Sequence, residues 1–219
     1  MPAPSVWLFV LARDPHGAKR RLAPVLDESA RAELAIAMLG DMLEASRAVA
    51  FARRVVVTES AAVRDVARAA GVDALDTPLA DTNAAARAAF AEAVAAGAAA
   101  SLVLAADLPL AHAADIAALV DAGRDADVVI APDRHMRGTN ALLLVPPARI
   151  APAFGDDSLR LHQERARAAG ATQRLVTARG LCADLDDPDD LRLIRDDPGL
   201  GPRTSAVLRT VTSVARASR

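Results

Sequence analysis

Two segments in the second half of the chain have the residue types of an anion-binding site. Gly-Thr-Asn at 138–140 opens an apolar run, and Phe-Gly-x-x-Ser at 154–158 opens a predicted helix. Short side chains and free backbone N–H groups at a helix start suit a phosphate or a carboxylate. We therefore expect the two segments to form the two halves of a pocket for an anion.

Three aspartates have the placement of ligands for a hard cation. Asp107 follows an apolar strand-like run, whereas Asp184 and Asp186 are two residues apart and project from one face of an extended segment. Such carboxylates repel each other unless a cation or a basic group lies between them. The three carboxylates, together with phosphate oxygens, predict a Mg²⁺ site. The alternatives are a helix cap at Asp107 and, from Asp186 onward, acids that favour a helix N-terminus.

A basic loop follows the first apolar run of the chain. It contains Arg13, Lys19, Arg20 and Arg21, beyond the carboxyl end of a predicted strand, where ligands bind in open parallel sheets. The loop has the glycine spacing of neither a P-loop nor a dinucleotide fingerprint. We expect it to contact a triphosphate, the alternative being an exposed basic loop.

Two further polar residues stand at or near predicted helix starts. Asn83 follows Asp81 and Thr82, either of which would cap a helix, so Asn83 is either an ordinary first-turn residue or a nucleotide contact. We retain it as a candidate nucleotide-binding residue. His162 lies one turn after Ser158, where it faces either the pocket or the solvent. No Ser-His-Asp constellation is identifiable.

These residues are positioned by β-rich apolar runs that alternate with longer segments of helical periodicity. Strands are predicted at Val6–Leu11, Arg54–Thr58, Asp73–Leu75, Ser101–Ala105, Asp127–Ala131, Asn140–Val145 and Gln173–Val176. Helices are predicted at Ser29–Ala48, Ala61–Ala70, Asn83–Ala96, Ala113–Ala122 and Ser158–Ala169, and a short one from Asp187-Pro188 to Ile194. This alternation predicts a single α/β domain with a Rossmann-like, mostly parallel central sheet flanked by helices.

The first helix and the C-terminal tail both have apolar residues at helical spacing. In the first helix the apolar stripe consists of Leu34, Met38, Met42 and Ala45, and Asp41 lies mostly off it. We divide the chain into a domain of residues 1–199 and a basic tail of residues 200–219. The tail either docks as a helix or stays loose, and its apolar residues at helical spacing are Val207, Leu208, Val211 and Val214.

Composition excludes several classes of function. The net charge is −2, from 26 basic and 28 acidic residues, so no global field favours a polyanionic polymer. Four Phe, one Trp and no Tyr leave too few aromatic platforms for single-stranded nucleic acid. The single cysteine, Cys182, rules out an intramolecular disulfide framework and a multi-cysteine zinc site. Without an evident signal peptide or an uninterrupted apolar span, the sequence predicts a cytoplasmic protein that binds neither nucleic acid nor membrane.

Six motifs follow one another along the chain. They are K-x-R-L-A-P-x-L at Lys19–Leu26, A-A-D-L-P-L at Ala105–Leu110, A-P-D-R at Ala131–Arg134, G-T-N-A-L at Gly138–Leu142, F-G-x-x-S at Phe154–Ser158 and D-L-D-x-P-x-D-L at Asp184–Leu191. In this order they resemble one family, the phospholactate or phosphoenolpyruvate guanylyltransferases of coenzyme F420 biosynthesis, which share a nucleotidyltransferase fold with the molybdenum-cofactor guanylyltransferases. The resemblance covers about residues 6–195.

The resemblance implies transfer of GMP from GTP to the phosphate of a small phosphorylated three-carbon acid, with release of pyrophosphate. The acid would be 2-phospho-L-lactate, phosphoenolpyruvate or 3-phosphoglycerate, and the product would be handed to the enzyme that builds the deazaflavin cofactor. Lys19 and Asp107 would be catalytic, and Arg13, Lys19 and Asn83 would bind the nucleotide. Asp107, Asp184 and Asp186 would bind Mg²⁺, and the acceptor acid would be held by Thr139, Gly155 and Ser158.

The chain departs from the family pattern at two places near the nucleotide. Arg13 stands where the family often has lysine, and Asp81-Thr82 stands where it often has Gly-Leu before Asn83. One alternative is a nucleotidyltransferase for molybdopterin or a sugar phosphate, although the glycine loop of that type is missing from residues 12–21. Pro109 replaces the second acid of a D-x-D motif, which argues against a glycosyltransferase. The other alternative is a nucleotide-binding module without turnover.

Overall fold

The central element is a seven-stranded sheet in which one strand runs antiparallel to its neighbours. The computed structural model describes residues 5–78 and 81–217, with side chains as far as residue 211. The strands are β1 (Val6–Leu11), β2 (Arg53–Thr58), β3 (Asp73–Asp76), β4 (Ala100–Ala105), β5 (Val128–Pro132), β6 (Thr139–Leu144) and β7 (Gln173–Leu175). Their order across the sheet is β3-β2-β1-β4-β6-β5-β7, and β6 runs antiparallel to β4 and to β5.

Helices cover both faces of this sheet. They are α1 (Glu28–Ser46), α2 (Ala61–Ala69), α3 (Thr82–Ala95), α4 (Ala113–Ala122), α5 (Ser158–Ala168), α6 (Arg179–Cys182), α7 (Pro188–Ile194) and α8 (Pro202–Ala217). The mostly parallel α/β architecture that the alternating pattern predicts is confirmed. The observed ends lie within two residues of the predicted ones, and the short helix α6 and a 3₁₀ turn at Arg20–Leu22 were not predicted.

The core has two layers because successive side chains of a strand point to opposite faces of the sheet. Val6, Leu8 and Val10 of β1 pack in the layer formed with α1, α2 and α4. Trp7 and Phe9 of the same strand pack in the opposite layer, with α3 and α5. Burial on both faces requires a nearly continuous apolar strand, which is the pattern of β1 in the sequence.

The C-terminal helix α8 packs on α1 through a buried carboxylate. Asp41 of α1 is only 8% exposed, and it accepts hydrogen bonds from the backbone N–H groups of Arg203 and Thr204 and from the Thr204 hydroxyl. Asp41 was expected to lie mostly off the apolar stripe of α1, and the structure shows that its side chain is nevertheless buried, at the contact with α8. A carboxylate is stable there because it satisfies the free N–H groups at the start of α8.

Apolar contacts complete the docking of α8. Leu208 is buried in a cluster that includes Leu34 and Met38 of α1, and Val207 and Val211 pack against the same cluster. The side chain of Val214 and residues 218–219 lie outside the part of the chain that the structure describes. Among the described helices, none combines the length and the apolar character that crossing a bilayer requires.

Candidate active site

The sheet topology gathers polar segments at one edge. The strand order reverses between the neighbouring strands β1 and β4, which is where open α/β sheets bind ligands. The basic loop leaves the carboxyl end of β1, and Asp107 follows the carboxyl end of β4. Because β6 runs in the opposite sense, its first residue, Thr139, lies at this same edge. One reversed strand thus brings the Gly-Thr-Asn segment next to the acidic residue.

These segments line one cleft of about 950 Å³. That volume lies at the upper end of the range of small-molecule sites and is enough for two substrates. Of the residues singled out from the sequence as site residues, all but Asn83 line the cleft, namely Arg13, Lys19, Asp107, Thr139, Gly155, Ser158, Asp184 and Asp186.

Lys19 lies between two of the aspartates. Its ammonium nitrogen is 2.5 Å from Asp107 Oδ2 and 2.8 Å from Asp186 Oδ1. Burial by itself lowers the pKa of Lys19, but the two carboxylates outweigh burial and hold the pKa above its ordinary value. Burial likewise tends to raise the pKa of Asp107, but the nearby Lys19 charge outweighs this effect and keeps the pKa below its usual range. Both groups are therefore charged at neutral pH.

The backbone of Lys19 is unusual in a way that matters for its position. Its φ of 50° and ψ of 43° lie in the left-handed region, immediately before the 3₁₀ turn. A lysine adopts this conformation at a small energetic cost, and such residues cluster at functional sites. The turn directs the long side chain back onto the strand ends instead of into solvent.

Asp184 carries the charge that Lys19 does not balance. Its pKa is raised to about 6, first by burial and then by the neighbouring carboxylates of Asp107 and Asp186. Asn140, the last residue of the Gly-Thr-Asn segment, donates hydrogen bonds to Asp184 Oδ1 at 3.3 Å and to the Leu181 carbonyl at 2.9 Å. The cluster therefore retains excess negative charge in a partly buried position.

The donor set fits a divalent cation by its chemistry. Three carboxylates provide the hard oxygen ligands that Mg²⁺ takes, and a cation would offset the burial and the neighbouring carboxylates that raise the pKa of Asp184. Within the described residues, no group of three His, Cys, Asp or Glu side chains is arranged to hold a metal ion. The Lys19 ammonium instead bridges Asp107 and Asp186.

Asp186 is positioned by a residue that the sequence interpretation assigned only to the start of a helix. Asp190 Oδ2 accepts hydrogen bonds from the backbone N–H groups of Asp186 and Asp187, and Asp190 Oδ1 pairs with Arg134 at 2.6 Å. Asp187 caps α7, with Pro188 at the first helical position, as predicted. The A-P-D-R and D-L-D-x-P-x-D-L motifs are therefore joined by the Arg134–Asp190 ion pair.

Asn83 has a different environment from the one that the sequence suggested. Its amide nitrogen donates to the Phe154 carbonyl at 2.9 Å, and its amide oxygen accepts from the Phe154 N–H at 2.6 Å. Asp81, one of the two capping alternatives, caps α3. Asn83 thus ties the start of α3 to the Phe-Gly-x-x-Ser segment, and its polar atoms are engaged by that backbone.

The Phe-Gly-x-x-Ser segment approaches the cleft through its backbone. Gly155 has a φ of +125°, a backbone conformation that residues with a side chain rarely adopt. A Cβ built at this position would nevertheless meet no atom within 4 Å. Glycine is therefore required by the backbone conformation and not by lack of space. Ser158 opens α5, and the N–H of the next residue, Leu159, donates to the Arg137 carbonyl at 2.9 Å.

The two departures from the family pattern contact each other. Arg13 donates a hydrogen bond from its guanidinium to the Thr82 hydroxyl at 2.8 Å. A lysine and a leucine at these positions would not form that bond. This bond joins the basic loop to the start of α3 on this side of the cleft.

Comparison with protein families decides the relationship. Residues 10–212 match the family model described as guanylyl transferase CofC like. The chain belongs to this family. The cleft lined by the basic loop and the aspartates is accordingly the candidate active site of this guanylyltransferase.

Relatives of known name agree over most of the chain. The phosphoenolpyruvate guanylyltransferase of Rubrobacter xylanophilus is 38% identical over 90% of this chain and 96% of its own length. That of Chloroflexus aggregans is 41% identical over 80% of this chain and 89% of its own length. The 3-phospho-D-glycerate guanylyltransferase of Phenylobacterium zucineum is 38% identical over 92% of this chain and 94% of its own length.

Solved structures confirm the nucleotidyltransferase fold. A Desulfovibrio desulfuricans G20 protein named for nucleotide-diphospho-sugar transfer superposes with a TM-score of 0.79, at 17% identity and 98% coverage of both chains. A nucleotidyl transferase from Methanothermobacter thermautotroptrophicus gives 0.64, at 17% identity, over 94% of this chain and 99% of its own. A Mycobacterium tuberculosis H37Rv protein in complex with manganese superposes with a TM-score of 0.59, at 21% identity, over 88% of this chain and 99% of its own.

Proposed function

We propose that this guanylyltransferase joins GMP from GTP to the phosphate of a small phosphorylated three-carbon acid, in the biosynthesis of coenzyme F420. The observation that carries the proposal is that two sets of residues line the same cleft. One is a charged set of Lys19, Asp107, Asp184 and Asp186, and the other is an uncharged set of Thr139, Gly155 and Ser158, which we expect to bind the acid. Acids of this class are named as substrates of the relatives described above.

The reaction needs alignment and charge neutralisation more than proton transfer. An oxygen of the acceptor phosphate attacks the α-phosphorus of GTP, a new phosphoanhydride bond forms, and the bond from the α-phosphorus to the bridging oxygen breaks. Pyrophosphate leaves with that oxygen. A phosphate is already ionised at neutral pH, so the attacking group requires no general base.

Each part of the cleft has a role in this scheme. Lys19 and Arg13 offer positive charge to the triphosphate and to the departing pyrophosphate. Thr139, Gly155 and Ser158 hold the acceptor acid. Asn83, whose amide is bonded to the Phe154 backbone, supports the acceptor side.

Asp107, Asp184 and Asp186 are the residues that would hold Mg²⁺. The ion supplies neutralisation of phosphate charge when it is bound. The structural neighbour that contains manganese supports use of a divalent ion by this fold, and the carboxylate set supports magnesium among such ions. Asn140 donates to the Asp184 carboxylate, and Asp190 fixes the backbone of Asp186 by accepting from its N–H.

The test is pyrophosphate release by purified protein with each of the four nucleoside triphosphates and each of 2-phospho-L-lactate, phosphoenolpyruvate and 3-phosphoglycerate. We expect release with GTP, Mg²⁺ and at least one acid together, and none when any of the three is omitted. Equal release with a sugar phosphate, or no release with any acid, would refute the proposal.

A matched set of variants tests the role of the acidic residues in the same assay. Asp184→Asn and Asp186→Asn should each lower kcat/KM by at least about a hundredfold, because each removes a charge that phosphoryl-group transfer needs. Asp189→Asn makes the same change three residues farther along, at an exposed side chain paired with Arg192. It should leave the activity within about twofold of the wild type.

A further inference from the structure

His162 is completely buried and uses both nitrogens of its ring. Its Nε2 lies 2.8 Å from the backbone nitrogen of Ala153, and its Nδ1 lies 3.0 Å from the Thr139 hydroxyl oxygen. The Phe154 ring packs edge-on against the imidazole at 5.1 Å. The histidine therefore links the first residue of β6 to the segment that leads into Gly155.

These partners determine the tautomer of the ring. A backbone N–H can only donate, so Nε2 must be the unprotonated acceptor. Burial, and to a lesser extent the charge of Arg165, lowers the pKa of His162 to about 4, so the ring is neutral at pH 7. A neutral imidazole carries one proton, and that proton must be on Nδ1.

The tautomer in turn determines what Thr139 can do. Because Nδ1–H donates, the Thr139 oxygen accepts from it, and the hydroxyl proton of Thr139 is not shared with the ring. Thr139 lines the cleft. Its O–H bond is therefore available to donate to an anionic oxygen in the cleft. With the opposite tautomer the hydroxyl would have to donate to the ring, and it would present only lone pairs to an anion.

We propose that His162 is a positioning residue that makes Thr139 a hydrogen-bond donor to an anionic oxygen of the acceptor acid. This inference rests on the proposed function, since it assumes that an acid binds beside Thr139. The same ring accepts a hydrogen bond from the Ala153 N–H and so fixes the position of the backbone that leads into Phe154 and Gly155. His162 thus bonds to Thr139 and to the Ala153 backbone, on two sides of the acceptor pocket, without contacting the acid.

Two substitutions separate the two hydrogen bonds of the ring. His162→Asn places an amide nitrogen near the position of Nδ1, where it can still donate to Thr139. His162→Gln places an amide oxygen near the position of Nε2, where it can still accept from Ala153, and the donor to Thr139 is lost. We expect His162→Gln to raise the KM for the acid about tenfold, with little change in the KM for GTP. His162→Asn should raise the acid KM less.

A double-mutant cycle distinguishes positioning from general damage. The effect of His162→Gln on the acid KM should persist in a Thr139→Ser background, which keeps the hydroxyl, and should disappear in a Thr139→Val background, which lacks it. An equal effect in both backgrounds, or an equal rise in the KM for GTP, would overturn the inference while leaving the proposed function intact. A wild-type protein that transfers GMP to no acid would overturn both.

Nitrogen-15 NMR of the wild-type ring provides a test that does not depend on the folding of any variant. At pH 7 the His162 signals should show a protonated Nδ1 and an unprotonated Nε2. A ring protonated at Nε2, or at both nitrogens, would overturn the inference even if every variant were inactive. The His162 signals are assigned as the pair that persists when each of the exposed residues His16, His112 and His135 is replaced by glutamine in turn.

Discussion

The amide nitrogen of Asn140 lies 3.3 Å from Asp184 Oδ1 and donates to it. This bond joins the Gly-Thr-Asn segment, on the acceptor side of the cleft, to the acidic segment on the nucleotide side. It also orients the carboxylate whose pKa is raised to about 6, first by burial and then by its acidic neighbours. The two walls of the site therefore share a polar contact, and a change at Asn140 should act on the acidic cluster.

Asn140→Ala should weaken metal use more than acid binding. Loss of the amide frees the Asp184 carboxylate to rotate, and loss of such an outer partner typically weakens metal affinity or activity by about tenfold or more. We expect the Mg²⁺ concentration for half-maximal pyrophosphate release to rise about tenfold. An unchanged Mg²⁺ requirement would contradict this role for Asn140.

The only other asparagine of the chain gives a contrasting prediction. Asn83→Ala removes the two hydrogen bonds that hold the Phe154 backbone, so the Phe-Gly-x-x-Ser segment should lose its fixed position. The KM for the acid should rise about tenfold, with the Mg²⁺ requirement nearly unchanged. If Asn83→Ala raised only the KM for GTP, the side chain would serve the nucleotide and not the acceptor.

Because His162 is buried in its neutral form, the folded protein should lose stability in acid. Its folded-state pKa of about 4 lies below the ordinary value of 6.5, so the unfolded chain binds a proton at this residue more readily. The stabilising effect is complete above pH 6.5 and is lost as the pH falls toward 4, by up to about 3 kcal/mol. Urea unfolding of the wild type and of His162→Gln between pH 7.5 and pH 4 measures this difference.

The control for that experiment is His16→Gln, since His16 lies in the exposed part of the basic loop. Its stability should follow the wild type across the whole pH range. A pH dependence of His162→Gln that is as steep as that of the wild type would show that the buried ring does not contribute the expected proton linkage.

Substitution of Asp41 should lower the stability of the protein without changing its catalytic activity. Asp41→Ala removes the three hydrogen bonds to the start of α8 and should lower the free energy of unfolding by about 2 kcal/mol. Glu44→Ala, on an exposed turn of the same helix, should change it by less than about 0.5 kcal/mol. At 25 °C both variants should retain kcat/KM, because none of the described side chains of α8 lines the cleft.

The sequence was sufficient to predict the strands and helices because their periods are local. The continuous apolar run of β1 and the Asp187-Pro188 helix start are examples, since each depends on residues a few positions apart. The reversed direction of β6 was not predictable in this way. It depends on pairing between Ser101 and Leu144, which are far apart in the chain and carry no local signal of orientation.

The site was predictable as a set of residues and not as a set of contacts. The motif order indicated which side chains meet, and eight of the nine predicted site residues line one cleft, Asn83 being the exception. The Lys19 bridge, the pairing of Asn83 with Phe154 and the burial of His162 are long-range contacts that depend on loop geometry. An acid or an amide in a loop has several equivalent local partners, so its actual partner is decided only when the chain is folded.

The central claim is that the acceptor phosphate itself attacks the α-phosphorus of GTP within this cleft. Its most direct test uses a phosphorylated acid labelled with oxygen-18 in the terminal oxygens of its phosphate, with GTP, Mg²⁺ and the wild-type protein. Mass spectrometry should find the whole label in a guanosine diphospho-acid and none in pyrophosphate. Label in pyrophosphate, or release of GMP without a labelled conjugate, would contradict the account.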